Sequence, residues 1–256
     1  VVKNHTTFDN DYLIQDESNI LYFITPNGRI KWTRKIGKPI IGEVKNIDIL
    51  GNSKFQMVFN TKNKLFVIDI LGRDVSPFPV PILDSATANV SPVDYENNSE
   101  YRFLVPTTKG IKNIDKNGTI VSGWSQPNPG TLIPFDIDYL AIKGKDYLIA
   151  QGADNSLYFY NRKGEVRHNV KQNIGYPREV IKGSSISKTR AIYLDKQTNT
   201  INKQFFDNST ASILLASTNP ISQFIMEDYD GDGDREFTLV TETEILIYSE
   251  DLVIKE

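Results

Sequence analysis

The stretch Asp11-Tyr-Leu-Ile-Gln-Asp-Glu-Ser-Asn-Ile-Leu-Tyr-Phe-Ile24 recurs later in the chain as Asp146-Tyr-Leu-Ile-Ala-Gln-Gly-Ala-Asp-Asn-Ser-Leu-Tyr-Phe-Tyr160. Each copy has two short segments rich in aromatic and β-branched residues, joined by a polar connection. This pattern is typical of two β-strands and the turn between them. Because both strands and their connection are kept, the pair indicates an internal repeat.

Turn residues repeat at a regular spacing along the whole chain. Successive turns are separated by 44, 46, 46, 44 and 43 residues. A strand-built period of about 40 to 50 residues is the spacing of propeller blades. The sequence therefore predicts an all-β fold, a β-propeller of six four-stranded blades. The turn residues are Gly28, Gly72, Gly118, Gly164, Asn208 and Asp251.

We interpret residues 1–256 as a single domain, because the repeat is unbroken. The second strand of each unit is nearly all apolar, which predicts burial on both faces between neighbouring blades. The six units span residues 1–39, 40–84, 85–128, 129–172, 173–218 and 219–256. The predicted second strands are residues 11–15, 55–59, 101–105, 146–150, 189–194 and 236–240. In the second unit the four strands are predicted at residues 44–50, 55–60, 64–70 and 73–78.

The first unit lacks a clear first strand, since only residues 1–8 precede its second strand. Either those residues form the innermost or closing strand of a six-bladed ring, or the chain belongs to a longer protein with more blades. We favour the closed ring, because an open one would expose two sheet faces.

Composition narrows the function classes. Hydrophobic residues make up 39% and charged residues 24% of the chain, as in globular proteins. The net charge of −3 and the absence of basic clusters argue against nucleic acid as a partner. No apolar run is long enough to span a membrane, and the first residues lack a signal-peptide pattern. Cysteine is absent, which excludes disulfides and thiolate catalysis.

Two hairpins resemble a known repeat family. The stretches Leu21-Tyr-Phe-Ile-Thr-Pro-Asn-Gly-Arg-Ile-Lys-Trp32 and Ile114-Asp-Lys-Asn-Gly-Thr-Ile-Val-Ser-Gly-Trp124 are similar to hairpins of quinoprotein-alcohol-dehydrogenase-like (PQQ-like) propellers. Trp32 and Trp124 occupy the position at which repeats of that family carry a tryptophan, whereas the other four units have no tryptophan there. The resemblance implies a scaffold without cofactor, as in many members, or else a quinoprotein dehydrogenase.

The sharpest local motif is Asp228-Tyr-Asp-Gly-Asp-Gly-Asp-Arg-Glu236. Counted from Asp228, carboxylates stand at positions 1, 3, 5, 7 and 9, and glycine stands at position 6. This alternation turns several oxygen ligands toward one centre and favours calcium. A solvated acidic turn is the alternative, since Asp and Gly are common turn residues. The candidate metal residues are Asp228, Asp230, Asp232, Asp234 and Glu236.

The same loop resembles the calcium loop of FG-GAP (integrin-type) propeller repeats. That resemblance implies side-chain ligation by Asp228, Asp230, Asp232 and Glu236, and backbone ligation at Asp234. The related loops at 94–100 and 138–144 lack these carboxylates, so we expect one structural calcium per chain. Weak sites of this kind fill at extracellular calcium concentrations, which favours an extracytoplasmic protein: periplasmic, cell-surface or secreted.

Catalytic candidates are few. The two histidines, His5 and His168, form no sequence-readable triad or multi-histidine metal site. Asp48, Asp94 and Asp136 recur at the ends of first strands, where they either ring one mouth of a central channel or cap turns. Three tyrosines would either stack against sugars or pack between blades. They are Tyr22, Tyr158 and Tyr160.

These observations predict that the protein is a non-catalytic binding or scaffold module that recognises a protein partner and carries one structural calcium. The alternative is a carbohydrate-binding or carbohydrate-active propeller that uses carboxylates and aromatic residues at the channel mouth. Under that alternative the partner is a glycan rather than a protein.

Overall fold

The computed structural model describes residues 1–7, 9–129, 135–152, 154–170, 174, 178–195, 198–215, 221–227, 229 and 235–249. In this part of the chain, short strands are joined by turns into six antiparallel sheets, and a single 3-10 turn lies at Ile186–Lys188. No described helix is long and apolar enough to cross a bilayer.

Each sheet takes its strands in chain order from one sequence unit. Sheet 1 contains β1 (Val2–Lys3), β2 (Asn10–Gln15), β3 (Ile20–Ile24) and β4 (Ile30–Lys35). Sheet 2 contains β5 (Ile40–Ile47), β6 (Gln56–Thr61), β7 (Lys64–Ile68) and β8 (Val80–Pro81). Sheet 3 contains β9 (Ser91–Val93), β10 (Arg102–Thr107) and β11 (Gly110–Asp115).

The later sheets follow the same order. Sheet 4 contains β12 (Asp138–Ile142), β13 (Lys145–Gln151), β14 (Leu157–Tyr160) and β15 (Val166–Val170). Sheet 5 contains β16 (Arg178–Ile181), β17 (Arg190–Asp195), β18 (Thr200–Phe205) and β19 (Thr210–Leu214). Sheet 6 contains β20 (Gln223–Glu227), β21 (Glu236–Val240) and β22 (Ile245–Tyr248).

The chain divides into two compact units. The first comprises Val1–Ala141 and Lys145–Asn169, and the second comprises Ile142–Gly144 and Val170–Glu256. The first unit holds sheets 1 to 3 and most of sheet 4, and the second holds sheets 5 and 6.

Within the first unit, consecutive sheets pack face to face. In β6, Met57 and Phe59 contact sheet 1 beside Phe23, whereas the intervening Val58 contacts sheet 3 beside Phe103. Side chains of a strand alternate between the two faces, so a strand buried on both sides must be apolar throughout. This explains the continuous apolar second strands that the sequence shows. Sheets 5 and 6 of the second unit share a core of the same kind.

The predicted turns between third and fourth strands are confirmed where the structure describes them. At these positions φ lies between +75° and +83°, a region that glycine and asparagine adopt at low steric cost. Each turn residue donates its N–H to the carbonyl three residues earlier. The residues are Gly28, Gly72, Gly118, Gly164 and Asn208, whereas Asp251 lies outside the described residues.

Two tryptophans cover glycine turns of the neighbouring sheet. Trp32 Nε1 donates to the carbonyl of Ile70 at 2.9 Å, and a Cβ added at Gly72 would lie 3.0 Å from the indole. Trp124 also lies over Gly164, where an added Cβ would lie 3.2 Å from its ring, but its Nε1 donates to the carbonyl of Ile111 in its own sheet at 2.7 Å. In both hairpins, therefore, the tryptophan side chain packs on a glycine turn of the next sheet.

Three expectations need correction or completion. The outer strand of sheet 2 is Val80–Pro81 rather than residues 73–78, where Asp74 alone forms a bridge to Ile68. The predicted second strand at residues 11–15 is not buried on both faces: Tyr12 and Ile14 are 44% and 53% exposed, because the first compact unit has no sheet before sheet 1. The first strand that the sequence did not show in repeat 1–39 is β1, which pairs with β2. Closure into a six-bladed ring stays a prediction.

Candidate functional site

The predicted calcium loop lies largely outside the described residues. This applies to Asp228, Asp230, Asp232 and Asp234. Glu236 is described: it begins β21, is 2% exposed, and its Oε2 accepts the backbone N–H of Tyr229 at 2.9 Å. Among the described residues, no three acidic or histidine side chains form a group suited to a metal ion. The calcium site stays a prediction.

Two other loops between first and second strands have the same hydrogen-bonding pattern. In the loop after β5, the carboxylate of Asp48 accepts the N–H groups of Asn52 at 3.1 Å and Ser53 at 2.7 Å. In the loop after β9, Asp94 accepts from the residues four and five positions later at the same two distances. Such side-chain bonds replace the backbone partners that a tight loop lacks, so both loops are held in one shape.

The three aspartates proposed for a channel mouth have structural roles. Asp48 and Asp94 cap their own loops, as the alternative interpretation predicted. Asp136 forms an ion pair with Lys45 at 2.5 Å, 91 residues away in the sequence. Each of these carboxylates is therefore engaged in a structural contact.

The histidines are also separate from one another. His5 Nδ1 accepts the N–H of Phe55 at 3.2 Å, which leaves the proton on Nε2. His168 lies in β15 against Phe159, with ring centroids 5.7 Å apart. Neither histidine touches a carboxylate or hydroxyl nucleophile in a hydrogen bond that the structure shows.

Two of the three aromatic candidates serve packing between sheets 3 and 4. Tyr160 is 2% exposed and belongs to the core between sheets 3 and 4, with Tyr158 packed against it. Tyr22 and Tyr158 are half-buried and donate their hydroxyl hydrogens to Asp16 and Asp154 at 2.9 and 3.0 Å.

One edge of the first unit places three loops side by side. We call residues 4–7 and 9, 48–55, and 94–101 the loop edge. The first two loops are joined by the bond from Phe55 to His5. The second and third are joined by the N–H of Asp48, which donates to the hydroxyl of Tyr101 at 3.3 Å. These contacts make the loop edge a continuous, hydrogen-bonded surface.

A cavity of about 690 Å³ opens between the first two loops. We call it the lysine cavity. Its described lining has two ammonium groups, a histidine, amide and hydroxyl groups and one aromatic wall, and it has no carboxylate. The lining residues are Lys3, Asn4, His5, Asn10, Asn52, Ser53, Lys54 and Phe55.

The lysine cavity was missed by the sequence analysis. Its two lysines stand 51 positions apart, and no local motif links them. Two nearby carboxylates face other groups: Asp11 accepts from Asn4 at 2.7 Å and from Lys31 at 3.2 Å, and Asp48 caps its loop. The positive charge of the cavity is therefore not neutralised by those neighbours, which suits an anionic ligand.

A second cluster, also found only in the structure, locks sheet 3 to sheet 4. Arg162 pairs with Asp146 and Glu96 and lies 4.6 Å above the ring of Tyr95. The hydroxyl of Tyr139 donates to Asp146 at 2.7 Å. Burial, and then this bond to a carboxylate, raise the pKa of Tyr139 to about 12. The ion pairs with Asp146 and Glu96 raise the pKa of Arg162, so the cluster stays charged.

No protein-family model matches the chain, and no curated protein matches it. Solved structures share the fold at low identity. A crystal structure of BBS1N in complex with ARL6DN is 13% identical with a TM-score of 0.63, over 95% of this chain and 74% of that one. The Dos1 propeller is 8% identical with a TM-score of 0.64, over 96% of this chain and 66% of that one.

A third similar structure belongs to an enzyme. The dihydro-heme d1 dehydrogenase NirN is 11% identical with a TM-score of 0.66, over 96% of this chain and 54% of that one. At these identities the likeness shows the fold alone, and one fold hosts many functions. The protein is thus an all-β β-propeller, as the repeat predicted, and its activity must be argued from its sites.

Proposed function

We propose that the protein is a non-catalytic β-propeller that binds a protein partner at the loop edge, with an acidic segment of that partner in the lysine cavity. The observation that carries the proposal is the described lining of this cavity, which contains Lys3, His5 and Lys54 and, among its described residues, no carboxylate. Carboxylates of a partner would pair with the two lysines and accept the Nε2–H of His5, and Phe55 offers an apolar contact beside them.

The hydrogen bonds that hold the loop edge in one conformation support a binding role. Its loops are held by their own side chains through Asp48, Asp94 and His5. A surface ordered before binding loses less conformational entropy when a partner docks. BBS1N, which shares the fold, was crystallised in complex with ARL6DN, so a propeller of this kind can present a surface to another protein.

The lack of catalysis is also part of the proposal. The carboxylates and histidines that the sequence offered are used in loop caps, an ion pair and packing. Such roles supply no nucleophile beside a base, which hydrolytic catalysis needs.

Calcium and an extracytoplasmic location complete the proposal. The carboxylates from Asp228 to Glu236 would hold one structural calcium in the second unit, and such a weak site suits extracellular calcium concentrations. The described end of that loop fits this role, since Glu236 is buried and bonded to the loop backbone at Tyr229.

Peptide binding tests the proposal directly. Fluorescence anisotropy would compare a labelled Asp/Glu-rich peptide with its Asn/Gln analogue. We expect binding of the acidic peptide alone, weaker at high salt, and about tenfold weaker after Lys54→Glu because a like charge then faces the ligand. Lys145→Glu is the matched control, since this exposed lysine lies outside the cavity.

A glycan panel run beside the peptides separates the two binding classes. Binding of neutral glycans together with no preference for the acidic peptide would replace the proposed protein partner with a carbohydrate. Equal loss of peptide binding in the Lys54→Glu and Lys145→Glu variants would show that net charge, and not the lysine cavity, is responsible.

A further inference from the structure

Several acceptor atoms around the lysine cavity are already bonded to the protein's own backbone. Asn4 Oδ1 accepts two N–H groups of its own loop, at 2.9 and 3.3 Å. Asn52 Oδ1 accepts the N–H that lies two residues later at 3.1 Å. His5 Nδ1 accepts the N–H of Phe55 at 3.2 Å. Because these three acceptors are engaged, a ligand in the cavity meets mainly the hydrogen-bond donors of the lining.

The donors that remain come from two loops. Lys3 and Lys54 carry ammonium groups, and His5 presents Nε2–H because its Nδ1 is the acceptor in the bond between the loops. Asn52 and Ser53 add an amide NH₂ and a hydroxyl. The hydrogen bonds among the described residues leave these five donor groups unpaired. A single carboxylate accepts about four hydrogen bonds, fewer than these groups together can donate.

The second loop is fixed before any ligand binds. Its four successive N–H groups, from Asn52 to Phe55, each donate to a side chain. Asp48 accepts the first two, at 3.1 and 2.7 Å, and Asn52 and His5 accept the next two. The side chains of this loop therefore project from a backbone that needs no further ordering, which favours binding. All of the described lining lies within the first unit.

A tetrahedral oxyanion uses such a set of donors more fully than a carboxylate does. A phosphate ester presents three acceptor oxygens and carries about −1.5 to −2 charges near neutral pH. This charge matches the two ammonium groups of Lys3 and Lys54, which lie on different loops. A sulfate ester presents the same three oxygens with less charge. One ester group can therefore accept from both loops at once.

The aromatic wall of the cavity indicates which side chain carries the ester. Phe55 belongs to the lining, and its backbone is bonded to His5, so its ring lies beside the donors. Aromatic rings attract one another in offset-stacked or edge-to-face pairs. A tyrosine ester joins an aromatic ring directly to its anionic oxygens and makes both contacts with one side chain. A serine ester makes only the anionic contact.

We propose that the lysine cavity binds a tyrosine of the partner that is esterified with phosphate or sulfate. This inference rests on the proposed function, since it names the residue with which the acidic segment fills the cavity. The ester oxygens accept from Lys3, Lys54 and His5, and the tyrosine ring packs on Phe55. Esterification therefore controls the association, because an unmodified tyrosine brings no charge to the two lysines.

One series of labelled peptides tests this inference by fluorescence anisotropy. The peptides share neutral Gly/Ser flanks and differ only at the central residue, which is phosphotyrosine, sulfotyrosine, tyrosine, glutamate or phosphoserine. We expect the preferred tyrosine ester to bind about tenfold or more tightly than the tyrosine and glutamate peptides. Phosphotyrosine should also bind more tightly than phosphoserine, because only the former packs on Phe55. Comparison of the phosphate and sulfate peptides identifies the ester, and we expect the more highly charged phosphate to bind more tightly.

Two variants assign the contacts. Lys54→Met should weaken binding of both tyrosine esters by about tenfold, because a charged hydrogen-bond partner is lost. Phe55→Leu should weaken binding of phosphotyrosine by about threefold and leave phosphoserine binding unchanged, because the aromatic pair is lost. The backbone N–H that His5 accepts is kept in that variant. Lys145→Met is the matched control for Lys54→Met, since this exposed lysine lies outside the cavity.

The Asp/Glu-rich peptide of the proposed function is measured beside the series. If that peptide binds but neither tyrosine ester binds more tightly than glutamate, the ester assignment is wrong and the proposed function stands. Equal binding of phosphoserine and phosphotyrosine would overturn the assignment to tyrosine in the same way. If neither the Asp/Glu-rich peptide nor any ester binds the wild-type protein, the inference and the proposed function both fail.

Discussion

Gln56 and Glu236 occupy the same place in two loops of different sheets. Gln56 Oε1 accepts the N–H of Ile49 at 2.9 Å, and Glu236 Oε2 accepts the N–H of Tyr229 at the same distance. In both loops the acceptor stands seven positions after the donor, at the start of the second strand. The same hydrogen bond across the loop is therefore accepted by a side-chain amide in sheet 2 and by a carboxylate in sheet 6.

This relationship leads to a charge-specific test of calcium binding. In Glu236→Gln the amide oxygen should still accept the N–H of Tyr229, as Gln56 does for Ile49, so the melting temperature in chelator should stay close to wild type. The gain on adding calcium should shrink, because a negatively charged ligand is lost. Wild type at about 100 times the calcium dissociation constant should gain about 2.7 kcal/mol.

Differential scanning fluorimetry with calcium and with chelator measures both effects. Asp230→Ala, which removes a proposed ligand, should abolish the calcium gain. If calcium does not move the melting temperature of the wild type, the motif is a solvated acidic turn and the calcium proposal fails.

Gly118→Ala should destabilise the first unit more than Gly28→Ala. Both positions have positive φ, of 75° and 83°, so each substitution costs about 1 kcal/mol of backbone strain. A Cβ at Gly118 would also lie 2.7 Å from Val80 Cγ1 and 3.0 Å from Pro77 Cγ, whereas nothing lies within 4 Å at Gly28. We expect about 1 to 3 kcal/mol of additional destabilisation at Gly118 from this overpacking. Urea unfolding of the two variants measures the difference, and equal losses would contradict the contact argument.

Arg162→Gln should destabilise the protein through Asp146. That carboxylate is 8% exposed and would lose its guanidinium partner, while the bond from Tyr139 would remain. Because a hydrogen bond to a charged group contributes more than one between neutral groups, we expect a loss of about 1 to 3 kcal/mol in chemical denaturation.

The matched control for that loss is Arg73→Gln. Arg73 is 71% exposed and pairs with Asp69 four residues earlier, so its removal should change stability by about 0.5 kcal/mol or less. Similar losses in the Arg162→Gln and Arg73→Gln variants would show that the cluster around Asp146 contributes no more than a surface pair.

Asp84 should make stability depend on acid pH. The hydrogen bond from Lys112, at 2.8 Å, and the one from Lys109 lower the pKa of Asp84 below its ordinary value of 3.8. A depressed folded-state pKa gives stability that is present above pH 3.8 and is lost as the pH falls through the folded pKa. Asp84→Asn should therefore lower the melting temperature at neutral pH, and the difference should shrink in acid. A difference that is constant with pH would contradict this.

Much of the fold could be predicted from the sequence, because blades are local. A hairpin such as β2 and β3 depends on nearby residues, and positive φ at Gly28 or Gly164 is dictated by the turn itself. The second strands were placed correctly for the same reason. The outer strand of sheet 2 was misplaced because a short edge strand has little apolar pattern, and Val80–Pro81 is held by pairing with β7.

The candidate site followed from the sequence only in part. The acidic motif ending at Glu236 is contiguous and was visible, and the loop aspartates Asp48 and Asp94 were recognised at their positions. Their role as caps, the pairing of Lys45 with Asp136 and the lysine cavity depend on residues far apart in the chain. Spacing carries no information on such contacts.

By itself, the sequence determined the number of strand repeats, the turn positions and the apolar second strands, because each depends on hydrogen bonds and side-chain alternation within about 45 residues. Only the tertiary structure decided which faces are covered and which charged groups meet. Burial depends on the neighbouring sheet, so Tyr12 and Ile14 are exposed while Leu148 and Ala150, in the equivalent strand of sheet 4, are buried.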